Sequence, residues 1–265
     1  MSFARLHVEV QGPAGAPPVL FLHGLAGSAR NWRPELRALR ESHRAIAFDA
    51  RGHARSEAPE DASAYSVAAM VDDALGVLGG EVGPGTAAVW VGLSMGATIA
   101  LEAALGHPEL VRGVVLVSYP GGRSQASIAK ASHVFAEALD REGSEAAGAR
   151  FVWGPDSGLD ERGATWVRQG FLEHSAHGLS SCLRGVLAPR LPLEERAAEL
   201  LALSVPVLVV AGETDLPSVV SSRFLAEAVA TARLEIVPGA GHVVNLAAPD
   251  HFNRVLSRFL ASLDS

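Results

Sequence analysis

The sequence predicts an α/β domain built on a mostly parallel sheet. Two observations carry this: apolar runs too unbroken for a strand with one wet face, and stretches of helical spacing between successive runs. A strand covered on both faces has no polar side to alternate with, and parallel neighbours need a connection long enough to hold a helix. The runs are residues 6–10, 19–22, 45–48, 87–91, 111–117, 205–210 and 234–237. Residues 6–10 alternate instead of running apolar, which predicts an edge hairpin. Between the runs, residues 32–41, 66–78, 95–107, 219–231 and 249–263 follow the 3.6-residue spacing of a helix with one buried face.

The alternation breaks once, between Tyr119 and Ser204, where apolar residues keep helical spacing and no strand-like run occurs. This predicts an inserted helical cap over residues 120–204, on a core made of residues 1–119 and 205–265. Flexible loops are expected at 120–125, 153–158 and 188–192, where Gly, Pro and polar residues cluster.

The chain has 265 residues, 48% of them hydrophobic and 19% charged, with 22 Lys and Arg against 29 Asp and Glu for a net charge of −7. That apolar share suits a sizeable buried core and excludes a disordered chain. Phosphate backbones and anionic membranes call for clustered Lys and Arg, so neither is an expected partner. A lone cysteine, Cys182, makes no intrachain disulfide and no structural metal cluster, which points to the cytoplasm. No targeting leader and no apolar stretch long enough to span a bilayer is read, and the expected partner is a small-molecule substrate. Monomer and homodimer remain equally open.

The chemistry concentrates in four segments. The first is Gly92-Leu93-Ser94-Met95-Gly96, a Gly-x-Ser-x-Gly placed between an apolar run and a helix. A nucleophilic serine stands on a sharp turn there, where flanking side chains would collide with neighbouring backbone, and the following helix aims free N–H groups at developing negative charge. The bare pattern also fits an ordinary strand-to-helix turn; the flanking run and helix argue against that reading.

A serine hydroxyl needs a base, and the base needs an acid to orient it. Ten histidines compete for the first role. Residues 205–210 run into Gly212-Glu213-Thr214-Asp215, and 234–237 into Pro238-Gly239-Ala240-Gly241-His242, so Asp215 and His242 follow successive strand ends, where sites form in open parallel sheets. Glu213 is the rival acid, two residues nearer its strand. His107, His133, His174, His177 and His251 read as packed or solvated, and the adjacent Asp72 and Asp73 as the wet face of a helix.

The last segment is residues 19–28, an apolar run opening into His23-Gly24-Leu25-Ala26-Gly27-Ser28. Acyl transfer needs two backbone N–H groups on the tetrahedral oxyanion, commonly from the residue after the nucleophile and from this loop, which points to Met95 and Leu25. His23 is expected to brace the loop.

With these segments placed, the chain resembles the α/β-hydrolase superfamily over nearly its whole length, through His23-Gly24, the Phe48-Asp49-Ala50-Arg51-Gly52-His53-Ala54-Arg55-Ser56 loop, Gly92 to Gly96, Gly212 to Asp215 and Pro238 to His242. The resemblance implies an α/β-hydrolase fold of eight mostly parallel strands, a helical lid after the sixth, a Ser94–His242–Asp215 triad and no cofactor or metal. Its compact esterases, 3-oxoadipate enol-lactonases and cofactor-free haloperoxidases are the most similar branches. Serine in place of aspartate at the nucleophile argues against the haloalkane dehalogenase and epoxide hydrolase branches.

The expected activity is hydrolysis of a small carboxylic ester or lactone through an acyl-enzyme on Ser94. Carbon–carbon hydrolases of meta-cleavage type are an alternative, although they carry Asn where Leu93 stands and an Arg-Trp pair where Thr165-Trp166 stands. A ligand-binding, receptor-like or cyclase protein on the same fold is the other. Phe135, Trp153, Trp166 and Phe171 are candidate walls of a substrate pocket under the lid.

Overall fold

The computed structural model describes residues 4–121, 125–154 and 161–264. Among them, seven strands form one sheet: β1 (Val8–Gln11), β2 (Pro18–Leu22), β3 (Arg44–Phe48), β4 (Ala88–Leu93), β5 (Val111–Val117), β6 (Val207–Gly212) and β7 (Ala232–Val237). Their spatial order is β1-β3-β2-β4-β5-β6-β7, and every neighbouring pair is parallel except β1 with β3. The crossovers are helices: α1 (Arg33–Leu39), α2 (Val67–Val82), α3 (Met95–Gly106) and α8 (Leu216–Ala228), with α9 (Val244–Ala247) and α10 (Pro249–Ser262) closing the chain.

The unbroken runs have the expected cause. Leu20 and Leu22 of β2 pack with Met70 and Ala74 of α2 and Ile99 of α3, while Val19 and Phe21 of the same strand pack with Leu36 of α1 and Phe252 and Phe259 of α10. Both faces of β2 are therefore core, and all five of its residues are buried. Phe21 stacks at 5.1 Å on Trp32, which is wholly buried. Burying each such ring contributes about 2 to 3 kcal/mol by area.

Between β5 and β6 the chain is helical wherever it is described: α4 (Gln125–Phe151), α5 (Glu161–Phe171), α6 (Ala176–Cys182) and α7 (Ala197–Ala202). Gly143, at φ +78°, bends α4 sharply. Ala136, Leu139, Phe171, Leu179 and Leu183 give these helices a small core of their own. The expected loops at 120–125 and 153–158 fall in part on residues 122–124 and 155–158, which lie outside the described residues; Gln125 already belongs to α4.

Three expectations are corrected. The sheet has seven strands among the described residues, so the helical insertion follows the fifth. Residues 4–7, where a further strand would begin, are tied instead to the loop after β3, through Asp49 N–H to the His7 carbonyl and Glu57 N–H to the Arg5 carbonyl. Second, β1 is an edge strand but not half of a hairpin with β2: it pairs antiparallel with β3, Val8 opposite Phe48. Third, Asp73 is no wet-face residue. It is buried and takes two hydrogen bonds from the Arg51 guanidinium, at 2.6 and 2.7 Å. Asp72, its neighbour, is half-buried.

Candidate active site

The site follows from sheet topology. The chain leaves β2 toward β3 on one side and leaves β4 toward β5 on the other, so the crevice between the ends of β2 and β4 is where connections part and a ligand can enter. Register places Leu22 of β2 opposite Gly92 of β4. The loops that follow these strands carry Gly24 and Ser94, and a Cβ on Gly24 would lie 3.3 Å from that of Ser94.

Ser94 has φ +54° and ψ −110°, a left-handed backbone that costs a non-glycine residue about 1 to 3 kcal/mol. The two flanking glycines make the turn possible by close approach. A Cβ on Gly92 would come within 2.1 Å of the Gly96 carbonyl oxygen, and one on Gly96 within 2.2 Å of the Leu22 carbonyl oxygen. Four non-glycine residues have positive φ among those described: Ala26, Ala54, Ser94 and Ser118. Each lies just beyond the end of one of the strands β2 to β5, so the strain is gathered on the edge that holds the site.

On the same edge, a Cβ on Gly212, the last residue of β6, would stand 2.2 Å from the Gly241 carbonyl oxygen. That approach brings the two loops together, and Asp215 Oδ2 lies 2.6 Å from Nδ1 of His242. Burial pushes the Asp215 carboxyl up, but hydrogen bonds from His242 and Ser218 outweigh it and hold the group below its ordinary value. Glu213, the rival, accepts the Gly239 N–H at 2.8 Å and is turned to the loop backbone, not to the imidazole. His242 itself is exposed over about half its side chain, 47%, leaving the rest of its ring open to a ligand.

The loop after β2 is fixed by its neighbours. His23 is buried, with Nδ1 2.7 Å from the Gly24 carbonyl and Nε2 accepting the Ala50 N–H at 2.9 Å. These two contacts require the proton on Nδ1, so the ring is neutral, and burial lowers its pKa accordingly. Asp49, directly after β3, accepts the Ala29 N–H at 2.7 Å and the Arg55 guanidinium at 2.8 Å. Burial raises its carboxyl, and these donors more than reverse that. Met95 is the first residue of α3, where the backbone N–H has no partner within the helix. Leu25 is half-buried on the facing loop, beside Ala26 at φ +56°.

Three histidines connect this loop to the helical insertion. His23 and His53 have ring centroids 5.0 Å apart, and His53 and His174 5.4 Å. His174 Nδ1 accepts the Ala54 N–H at 2.9 Å, and burial lowers its pKa to about 4. The sequence reading gave His174 no role; a lone histidine on a helical stretch offers no sign of which strand it will meet. Asp49 was available to it, as a charged residue directly after the apolar run 45–48.

The aromatic residues expected on the pocket wall divide. Phe171 is buried, with the Trp153 ring at 5.4 Å and the Phe135 ring at 6.2 Å, so these three form one aromatic group in the insertion. Trp166 is corrected: its side chain is 73% exposed and faces away from that group. It lies on α5, which presents only Phe171 as a buried residue.

A sequence model of the alpha/beta hydrolase fold matches residues 17–152, and the chain belongs to that family. It is similar over 98% of its length to a Variovorax paradoxus protein bearing the provisional name carbamate hydrolase, at 33% identity over 97% of that protein. A Bacillus subtilis protein, provisionally named 2-succinyl-6-hydroxy-2,4-cyclohexadiene-1-carboxylate synthase, is 30% identical over 98% of this chain and 96% of its own. Among solved structures, the enol-lactonase from Burkholderia xenovorans superposes with a TM-score of 0.82 at 25% identity, covering 97% of each chain. No helix among the described residues is long and apolar enough to cross a membrane.

Proposed function

We propose that this protein hydrolyses a small carboxylic ester or lactone through an acyl-enzyme on Ser94. The observation that carries the reading is the meeting of three features on one sheet edge: a serine at φ +54°, a glycine loop 3.3 Å from its Cβ position, and a histidine 2.6 Å from a half-buried aspartate. Similarity to an enol-lactonase adds support.

Ser94 attacks the carbonyl carbon while His242 takes its proton, and Asp215, bound to Nδ1, keeps the other ring nitrogen free for that proton and steadies the imidazolium. The N–H groups of Leu25 and Met95 hold the oxyanion. One such donor is worth about 2.7 to 4 kcal/mol in the transition state, which gives a reason for the bracing of the loop by His23 and Asp49. His242 returns the proton to the leaving oxygen, and water then repeats the sequence on the acyl-enzyme. The helices of residues 120–204 serve as the cap, with Phe135, Trp153 and Phe171 as its aromatic wall. A lone buried Cys182, which needs no oxidising compartment, supports a cytoplasmic setting.

The test is turnover of p-nitrophenyl esters from acetate to octanoate, and of small lactones, by wild type and Ser94→Ala. Ser94-dependent turnover is expected. Silence across the panel with Ser94 still labelled by a fluorophosphonate shifts the reading to carbon–carbon bond hydrolysis; silence without labelling shifts it to ligand binding.

A further inference from the structure

Three residues after His242, Asn245 of α9 is wholly buried, and its Nδ2 donates to two groups far away in sequence. One is the Asn31 main-chain carbonyl at 2.8 Å, and the other is Glu35 Oε2 at 3.3 Å, on α1. Asn31 in turn accepts the Ser28 N–H on its own Oδ1 at 2.7 Å, and that same oxygen lies 2.8 Å from where a Cβ on Gly27 would stand. One side-chain amide thus runs from the loop of the base to the loop of Leu25.

Glu35 is an unusual neighbour for that amide. It has no exposed surface, no ion pair among the described residues, and its Oε1 has no hydrogen-bond partner; Asn245 Oδ1 has none either. An ionised carboxylate in such a place would cost several kcal/mol. Burial raises its pKa to about 7, opposed only by the Asn245 amide and its own backbone N–H, with no charged side chain acting on it. A proton on the carboxyl turns one of two orphaned acceptors into a donor, so an acid and an amide already in contact can pair through both edges.

We propose that Asn245 and Glu35 are positioning residues, a buried amide–acid brace that fixes the His242 loop against the loop bearing Leu25. The inference rests on the acyl-transfer reading of those two loops. Neither residue touches substrate; the brace sets the spacing between the base and the oxyanion donors, where a displacement of about 1 Å can cost a hundredfold in rate. Ionisation of Glu35 breaks the acid edge of the brace, so the site loosens as the medium becomes alkaline.

The experiment measures the rate of Ser94 labelling by a fluorophosphonate, with the melting temperature alongside, from pH 5 to 9, in wild type, Glu35→Gln and Asn245→Leu. Glutamine keeps the acceptor, supplies a permanent donor and cannot ionise. The expected result is a wild-type labelling rate that falls above about pH 7, a Glu35→Gln rate within about threefold of it at neutrality with no alkaline fall, and an Asn245→Leu rate lower by tenfold or more. Wild type should also lose melting temperature as pH rises from the ordinary carboxylate range to about 7, because the folded state binds the Glu35 proton more tightly. Glu35→Gln should remove that slope.

Superimposable pH profiles of wild type and Glu35→Gln, in labelling and in melting, would overturn the proposal, as would wild-type labelling by a folded Asn245→Leu. If Asn245→Leu fails to fold, the Glu35→Gln comparison decides by itself. Absence of labelling in every variant counts against the acyl-transfer reading and not the brace; the melting curves then judge the brace, supported if Glu35→Gln abolishes the slope and overturned if the slope is unchanged.

Discussion

His53 and His174 meet ring edge to ring face with centroids 5.4 Å apart, one from the loop after β3 and the other from the turn between α5 and α6. Both are buried, and burial together with the neighbouring imidazoles lowers both pKa values, His174 to about 4. A histidine whose folded pKa lies below its unfolded value near 6.5 stabilises the fold fully above that pH and loses the contribution as pH falls toward 4. The loss from His174 amounts to roughly 3 kcal/mol. Chemical denaturation between pH 4 and 8 should show this acid limb, and His174→Gln should flatten it while leaving the alkaline side unchanged. An unaltered limb would show that His174 does not titrate there.

Replacement of the three chemical groups should separate activity from folding. Ser94→Ala and His242→Ala should each lower kcat by several powers of ten, since such residues act as a unit, with melting temperatures close to wild type. Asp215→Asn should cost about 10⁴-fold, because an asparagine at 2.6 Å from Nδ1 favours the wrong tautomer. Glu213→Gln, turned to the Gly239 N–H, should leave kcat within about twofold. A Glu213→Gln enzyme as damaged as Asp215→Asn would move the acid's role.

Gly92→Ala and Gly96→Ala should be far more damaging to the fold than their size suggests. The added methyl meets backbone oxygen at 2.1 and 2.2 Å, and backbone cannot rotate away as a side chain would. A destabilisation above about 4 kcal/mol in urea titration, or failure to express as folded protein, is expected for each. A fully folded Gly96→Ala would mean that β2 and the start of α3 do not pack as closely as the structure has them.

The Arg51–Asp73 pair should show the asymmetry of a buried ion pair. Both side chains are almost fully buried, so Asp73→Leu leaves a stranded guanidinium and should cost about 3 to 5 kcal/mol. The double variant Arg51→Met with Asp73→Leu removes both charges and should be more stable than Asp73→Leu alone. Additive losses in this double-mutant cycle would contradict coupling between the two.

Two aromatic residues on α5 should behave in opposite ways. Phe171→Ala opens the small core of the insertion and should cost about 3 to 5 kcal/mol, whereas Trp166→Ala, on the exposed face, should stay within about 0.5 kcal/mol of wild type. Ester turnover by Trp166→Ala should also match wild type.

Much of this was legible in one dimension because its cause is local. Residues 19–22 and 205–210 read as central strands since burial on both faces leaves no polar alternation, and the Gly92 to Gly96 turn reads from glycines that backbone collisions enforce. The insertion between β5 and β6 was visible as a loss of strand-like runs. Other features have no local cause. Residues 6–10 alternate as an edge strand should, but nothing within them says that the partner is β3. Asp72 and Asp73 are adjacent, and only the arrival of Arg51 makes the second a buried anion.

The sequence by itself determined the order of strands and helices, the position of the serine turn, and the two loops that end in Asp215 and His242, because periodicity and backbone sterics act over a few residues. Tertiary structure alone decided which distant polar groups meet. His242 and Asp215 are 27 residues apart, His174 and Ala54 120, Asn245 and Glu35 210, and each pair touches because packing on a common sheet edge removes water and leaves the other as partner. A buried polar group must find a partner, but which one it finds is set by the three-dimensional course of the whole chain.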